Sequence, residues 1–166
     1  MKKTLAILLL LALVFTVAAC QPKTDGPATE PSEEEIELKD LFTQILEKSG
    51  NEEMLGDSFM FDPVNQEEAG WLIGAESIDG SFEEGYALHP MINVHPFAMG
   101  MFRLAAGEDA DGFAKELSSK ADLRKWICVG ADAMTAATKG QTVLFVMGSP
   151  DEVSSILEAS GFTPVS

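Results

Sequence analysis

The sequence contains few of the residues on which several common structures and activities depend. Its 166 residues include only two cysteines and two histidines, and 11 Lys and Arg stand against 27 Asp and Glu. Two cysteines cannot build the disulfide framework of small secreted domains, so the fold must rely on a hydrophobic core. The net charge of −16 argues against nucleic acid as a partner, because binding phosphates requires clustered Lys and Arg.

Several catalytic and ligand-binding motifs are also missing. The chain has no Gly-x-Ser-x-Gly, no Gly-x-x-x-x-Gly-Lys, no His-Glu-x-x-His and no EF-hand spacing. It has no repeat of about 20 to 50 residues, which argues against a solenoid. Paired acids such as Glu67-Glu68 and Glu83-Glu84 could act as acid and base, but among 27 acids such neighbours occur by chance. We therefore expect no enzyme and no cofactor, and we keep an envelope hydrolase as a second alternative.

The first 20 residues, MKKTLAILLLLALVFTVAAC, place two lysines before an apolar run and small residues before Cys20. This order predicts a signal peptide over residues 1–19. The apolar run, Leu5 to Val17, is shorter than the roughly 20 residues of a transmembrane helix. The last four residues resemble the lipobox of bacterial lipoproteins, which implies cleavage before Cys20 and a diacylglycerol anchor on its thiol. The mature protein is then lipid-anchored in the cell membrane or outer membrane, on the extracytoplasmic side.

Residues 20–32 follow as a lipidated cysteine and a flexible tether. They contain three prolines, one glycine and no large apolar side chain, so they cannot bury enough surface to become ordered. Residues 33–166 are long enough for a single domain with its own core. Residues 30–84 carry 17 Asp and Glu against two lysines. The negative electrostatic field of this acidic segment permits a cationic partner, although most acidic surfaces are simply solvated.

Periodicity and capping residues predict most of the helices and strands of this domain. The predicted elements are a helix that starts at the capping box Ser32 to Glu35 and ends at Gly50, strands at 86–89 and 97–104, a helix from 106 to about 121, a hairpin with strands 131–138 and 141–147, and a helix from Ser149 to Gly161. Residues 51–84 predict irregular structure with one short helix or strand near 67–76. Because hairpins favour antiparallel pairing, we expect an α+β two-layer sandwich: an antiparallel sheet of about four strands with helices mainly on one face.

A His-Pro pair occurs twice, at His89-Pro90 and at His95-Pro96, and Met99 and Met101 follow. In one straight strand the two histidines would lie about 20 Å apart, too far for a single ion. If the prolines bend the segment, imidazole and thioether groups together suit Cu(I) outside the cell. An extracytoplasmic copper-binding lipoprotein that uses these four side chains is therefore the first alternative function. The other interpretation places the histidines at strand ends and the methionines in the core.

Once Cys20 is lipidated, Cys128 is the only remaining cysteine. It stands in the apolar sequence Trp126-Ile127-Cys128-Val129, and no histidine or second cysteine lies near it in sequence. We therefore predict a buried, unreactive thiol.

Four features together resemble a family of small bacterial lipoproteins that share a domain of unknown function. They are the lipobox, the capped first helix, the segment Glu84-Gly-Tyr-Ala-Leu-His-Pro-Met-Ile-Asn-Val94, and the hairpin Lys139-Gly-Gln-Thr-Val-Leu-Phe-Val146 before a helix. The resemblance spans most of residues 36–162 and implies an envelope location and a common fold, without a known activity. We therefore predict a non-enzymatic binding or interaction domain, displayed outside the membrane, whose partner is a protein or another envelope component.

Overall fold

The computed structural model describes residues 36–166. The predicted signal peptide, Cys20, the tether and the capping box at Ser32 lie outside the described residues. The helices are α1 (Leu38–Ser49), α2 (Gln66–Ile73), α3 (Ala110–Lys120) and α4 (Pro150–Ser160), with a short 3₁₀ helix at Glu52–Leu55. The strands are β1 (Phe59–Pro63), β2 (Glu84–Pro90), β3 (Ala98–Arg103), β4 (Ala133–Lys139), β5 (Thr142–Gly148) and β6 (Thr163–Pro164).

The strands form one open sheet in the order β1-β2-β3-β5-β4-β6, and every neighbouring pair is antiparallel. The predicted α+β class and the antiparallel pairing are confirmed. The sheet has six strands where we predicted about four, because two edge strands were missed. β6 is only two residues long, and β1 is a five-residue strand that ends in Pro63, so neither has a local sequence pattern that stands out.

Helices cover both faces of the sheet, so the predicted arrangement with helices mainly on one face is wrong. Side chains of α2 and α3 pack in one core, and those of α1 and α4 pack in another. Strand β5 lies between the two cores and contributes alternately to each. Val143, Phe145 and Met147 belong to the α2/α3 core, whereas Leu144 and Val146 belong to the α1/α4 core. A strand that is buried at every position and apolar from Val143 to Met147 requires cover on both sides, which is the physical reason for the third layer.

The predicted helix ends at Gly50, Ser149 and Gly161 are confirmed, but two predicted starts are wrong. α1 begins at Leu38, since residues 36 and 37 are not helical, and α3 begins at Ala110 after the Asp109 cap rather than at residue 106. Ser149 caps α4 by accepting a hydrogen bond from the Glu152 amide, while the Glu152 carboxylate accepts one from the Ser149 amide. α1 ends at Gly50, which is in the left-handed conformation with φ 74°. The short element that we expected near 67–76 is α2, which begins at the Asn65 capping box and ends at Gly74.

The described chain begins at one end of the sheet. Arg103 is the last residue of β3, and its Nη2 donates a hydrogen bond to the Ile36 carbonyl at 2.9 Å. Arg103 pairs with Glu84, the first residue of β2, so the loop 91–97 that joins β2 to β3 lies at the opposite end. α1 runs from the Arg103 end towards this loop. Within residues 36–166 no helix is both long enough and apolar enough to cross a membrane.

Candidate functional site

Six large hydrophobic side chains are exposed in the described part of the chain. They are Met60, Trp71, Met91, Ile92, Val94 and Ile127, with exposed fractions between 42% and 92%. They come from β1, α2, the loop 91–97 and the loop after α3. Met60 and Trp71 line two adjoining cavities, and the other four are sequence neighbours of the lining residues Pro90, Asn93 and Trp126. We call these six residues and the two cavities the Trp71 surface. Exposed apolar side chains that cluster in this way are typical of interaction sites, whereas scattered ones are ordinary.

The two cavities have volumes of about 470 and 350 Å³ and share Trp71 and His89. Both volumes are in the range of natural ligand-binding pockets, roughly 300 to 1,000 Å³. The larger cavity is lined by Trp71, Gly74, Ala75, Glu76, His89, Pro90, Asn93, Asp122, Lys125 and Trp126. The smaller cavity is lined by Met60, Asp62, Pro63, Val64, Glu68, Trp71, Leu72, Ala87 and His89.

The C-terminus of α2 and the loop after α3 build the larger cavity together. The amide of Asp122 donates to the carbonyl of Ile73 at 2.8 Å, which ties the loop to the end of the helix. Gly74 ends the helix with φ 81°, and a Cβ at this position would lie 2.8 Å from Lys125 Cβ. Only glycine therefore suits both the backbone conformation and the close approach of the loop.

Among residues 36–166, Lys125 is the one Lys or Arg that lines the cavities. Its Nζ donates to the carbonyl of Leu72 at 2.6 Å and to that of Trp71 at 3.1 Å, at the C-terminal end of α2, where the Trp71 carbonyl also accepts from the Gly74 amide. The same Nζ lies 4.5 Å from the centre of the Trp71 ring and 5.2 Å from that of Trp126. Burial lowers the pKa of Lys125 to about 8. Lys125 thus holds the indole of Trp71, 59% exposed, in a fixed place.

His89 forms the wall between the two cavities. It lies on β2 opposite Met60 of β1, and its ring meets the Trp71 ring edge to face with centres 5.0 Å apart. The adjacent residue Leu88 points into the α1/α4 core, so His89 points to the α2 side of the sheet.

Four carboxylates line the cavities. They are Asp62, Glu68, Glu76 and Asp122. Two of them are engaged locally, because Glu68 accepts from the Asn65 amide and Asp122 from the Arg124 amide, both at 2.8 Å. In the described part of the chain no hydrogen bond or ion pair engages the side chains of Asp62 and Glu76. The lining therefore has an excess of negative charge.

His95 lies on the other side of the sheet. Its Nε2 donates to Oε1 of Glu152 at 2.6 Å, and its ring contacts those of Phe59 and Phe97 in the α1/α4 core. Burial raises the pKa of Glu152, but hydrogen bonds from Ser149 and then from His95 lower it more, so the net pKa lies below its ordinary value. His95 thus fastens the loop 91–97 to the start of α4.

The structure does not bring the four proposed copper ligands together. His89 faces the α2 side of the sheet and His95 the α1/α4 side, while Met99 and Met101 are fully buried in the α1/α4 core. Within residues 36–166 no group of three or more His, Cys, Asp and Glu side chains is placed to hold a metal ion. Copper binding by these four residues as one site therefore has no geometric support.

The arrangement of Ser149, Glu152 and His95 is not that of a hydrolase triad. In a triad the imidazole lies between the hydroxyl and the carboxylate, so that it can accept the hydroxyl proton. Here the carboxylate lies in the middle: Oε2 of Glu152 accepts from the Ser149 hydroxyl at 2.6 Å and Oε1 accepts from His95. These three residues cap a helix.

Cys128 is exposed, which corrects the prediction of a buried thiol. It lies in the loop between α3 and β4, where the backbone has no regular period. Trp126 is buried in the α2/α3 core and Val129 packs partly buried against it, whereas Ile127, next to Cys128, is 92% exposed.

The sequence did not predict Trp71, Lys125 or the carboxylates of Asp62, Glu76 and Asp122 as site residues, and it indicated Glu68 only as one of two neighbouring acids. A helical projection of α2 contains one usable signal, because Ala69, Leu72 and Ile73 form its buried stripe and Trp71 falls outside it. Lys125 has no such signal, since its partners are carbonyls of a distant segment. The chain matches no protein-family model, and neither a curated protein nor a solved structure matches it, so the resemblance to a lipoprotein family stays a prediction.

Proposed function

We propose that the protein is an extracytoplasmic, lipid-anchored binding protein without catalytic activity, and that its Trp71 surface binds a protein partner. The observation that carries this proposal is that exposed Trp71 and Met60 line two adjoining cavities, while the other four exposed large hydrophobic side chains of the described chain are sequence neighbours of lining residues. Leaving a tryptophan 59% exposed together with other apolar side chains costs free energy in water. A partner that covers the surface recovers that free energy.

The negative charge of the chain supports a protein partner rather than lipid. The net charge of −16 repels anionic lipid head groups. Two carboxylates of the Trp71 surface, on Asp62 and Glu76, are exposed.

Site-specific crosslinking in living cells tests the binding proposal. A photoreactive amino acid is placed at Ile127 on the Trp71 surface and, as the control, at exposed Glu108 beyond the far end of β3. We expect a discrete crosslinked protein from position 127, its loss when Trp71→Ser is added, and no such product from position 108. Equal crosslinking at both positions, or products that persist in the Trp71→Ser variant, would contradict the proposal.

Lipid attachment is tested separately by labelling cells with radioactive palmitate. The wild-type protein should incorporate the label, and a Cys20→Ser variant should not, because the thiol is the acceptor of the diacylglycerol group. A wild-type protein without label would show that the proposed anchor is wrong, while leaving the crosslinking result to decide on binding.

A further inference from the structure

The charges around the Trp71 surface are unequal. Four carboxylates line its cavities, and two of them, on Asp62 and Glu76, are exposed and have no partner among residues 36–166. The single lining cation, Lys125, directs its Nζ to the carbonyls of Trp71 and Leu72. Its charge is thus opposed by the negative C-terminus of α2. The net field that an approaching ligand meets is therefore negative.

The shape of the surface favours an extended ligand. Two cavities lie side by side and are separated only by the rings of Trp71 and His89. A compact small molecule would occupy one cavity and leave the other unused. A peptide chain that crosses the rings can place one side chain in each cavity, since neighbouring side chains of an extended chain lie several ångströms apart.

A ligand that buries the apolar part of the surface must carry apolar groups as well as positive charge. Met60 and Trp71 line the cavities, and exposed Met91, Ile92, Val94 and Ile127 are sequence neighbours of lining residues. A purely ionic ligand would leave these side chains in water. Apolar side chains within a basic segment would bury them while the cations approach the carboxylates.

We infer that the partner binds through an extended, positively charged segment, and that this segment carries apolar side chains which pack against Trp71. This inference rests on the proposed function, because it names the kind of segment that the Trp71 surface receives. Charge complementarity selects the segment, and burial of the exposed apolar side chains provides most of the affinity.

A peptide-binding measurement on the full-length protein, purified in detergent, tests the inference. The probe is the fluorescent peptide Lys-Lys-Leu-Leu-Lys-Lys, and its binding is followed by fluorescence anisotropy. Three comparison peptides replace all lysines by glutamate, all lysines by serine, or both leucines by serine. We expect saturable binding of the first peptide alone, and weaker binding at high salt because exposed charges are screened.

Two double variants with the same change in net charge locate the binding. Asp62→Lys with Glu76→Lys reverses the unpartnered carboxylates of the Trp71 surface. Glu47→Lys with Glu158→Lys reverses exposed charges on α1 and α4, on the other face of the sheet. We expect the first pair to raise the dissociation constant about tenfold or more and the second pair to change it less than about threefold. Circular dichroism checks that both variants remain folded.

Several results would overturn the inference. One is equal binding of the serine or glutamate peptides, and another is an equal loss of affinity in the two double variants. Displacement of the peptide by free spermidine at equal concentration would identify a small polyamine as the ligand instead. Light scattering that shows dimers of the wild type, and monomers of a Trp71→Ser variant, would place a second copy of this chain on the surface.

The crosslinking experiment separates failure of the inference from failure of the proposed function. If position 127 crosslinks a partner in a Trp71-dependent manner and the basic peptide does not bind, the surface is a binding site for a segment of different chemistry. If neither result is obtained, the proposed function itself is wrong.

Discussion

The two His-Pro pairs of the loop region begin alike in sequence and lie in contrasting surroundings. His95 is fixed by the Glu152 carboxylate at 2.6 Å and packs on two phenylalanine rings of the α1/α4 core. His89 has no carboxylate partner among residues 36–166 and lies between two cavities, against the exposed ring of Trp71. His95 therefore lies in packed surroundings that provide a hydrogen-bond partner, and we call these the closed side. His89 lies beside open cavities, and we call its surroundings the open side.

This contrast shows that the fold, rather than the dipeptide, decides what each histidine does. Residues 89 and 95 point to opposite faces of the sheet, where different helices meet them. On one face α4 begins directly over the loop and supplies Glu152. On the other face α2 ends near the loop, and its exposed Trp71 leaves space uncovered. Substitutions on the two sides should therefore affect stability and binding unequally.

The largest effect on stability should come from substitution of Gly74, which lies on the open side. A Cβ at Gly74 would lie 2.8 Å from Lys125 Cβ and 3.1 Å from Asp122 Cβ, in a backbone with φ 81°. We expect Gly74→Ala to lower the free energy of unfolding by roughly 2 to 4 kcal/mol and to displace the loop from α2. Urea denaturation measures the change.

Gly107 is the matched control, because its φ of 89° is similar and a Cβ there would meet nothing within 4 Å. Gly107→Ala should cost only about 1 to 2 kcal/mol, the cost of backbone strain alone. Equal costs at the two positions would show that the close approach of the loop to α2 contributes nothing.

The next largest effect on stability should come from substitution of Glu152, which lies on the closed side. Glu152→Ala removes the acceptor of three hydrogen bonds, from the Ser149 amide, the Ser149 hydroxyl and His95. We expect a loss of roughly 1 to 3 kcal/mol in the free energy of unfolding. Asp151→Ala, an exposed acid in the same turn, should cost less than about 1 kcal/mol.

The pH dependence of stability gives an independent measurement of the same carboxylate. Because the folded state holds the pKa of Glu152 below its ordinary value of 4.5, the unfolded chain binds more protons in acid. The contribution of Glu152 to the free energy of unfolding is therefore present above pH 4.5 and is lost as the pH falls below that value. The difference in stability between wild type and Glu152→Ala should shrink over that range.

Substitution of each histidine in turn compares the stability and the peptide affinity of the two sides directly. His95→Ala leaves Oε1 of Glu152 without its donor and should cost about 1 to 2 kcal/mol in stability. His89→Ala removes a ring contact with Trp71 and should cost about 0.5 kcal/mol. Affinity for the basic peptide should change in the opposite order, with the larger loss at His89. The same ranking in both measurements would remove the distinction between the two sides.

A pH dependence caused by Lys125 tests the open side independently of the substitutions above. Burial lowers its pKa from 10.5 to about 8, so between these pH values the unfolded chain binds more protons than the folded one. The contribution of Lys125 to stability should therefore increase as the pH rises from 8 to 10.5. Stability of the wild type minus that of Lys125→Met, measured by denaturation at several pH values, should show this increase. A flat difference would mean that hydrogen bonds to the α2 carbonyls offset the effect of burial.

Local sequence signals predicted the elements whose ends are fixed by their own residues. The capping box of Ser149 with Glu152, the glycine after α1 and the Lys139-Gly140 turn act within a few residues, so they can be read directly. β1 is different, because its pairing with β2 comes from a segment far along the chain. The second layer of helices follows from the apolar pattern of β5, which predicts cover on both faces, but the pattern does not identify which helix covers which face.

The candidate site was harder to predict than the fold. Trp71, His89 and Lys125 come from three separate segments, and each was ordinary in its local context. Tertiary contacts alone give them a role, because Lys125 meets carbonyls of α2 and His89 meets a ring on the same helix. The copper hypothesis failed to gain support for the same reason: spacing along the chain cannot show that residues 89 and 95 face opposite ways.

The hydrogen bond from Arg103 to the Ile36 carbonyl also determines how the fold would respond to mechanical load. If the proposed partner and the proposed anchor both exist, the partner would pull on the loop 91–97 and the anchored chain on Ile36, at the other end of the sheet. Tension along α1 would then require its buried side chains Leu38, Phe42 and Ile45 to slide past their neighbours together. A helix loaded in this direction resists by shear across its whole length, whereas a helix pulled sideways peels away one turn at a time.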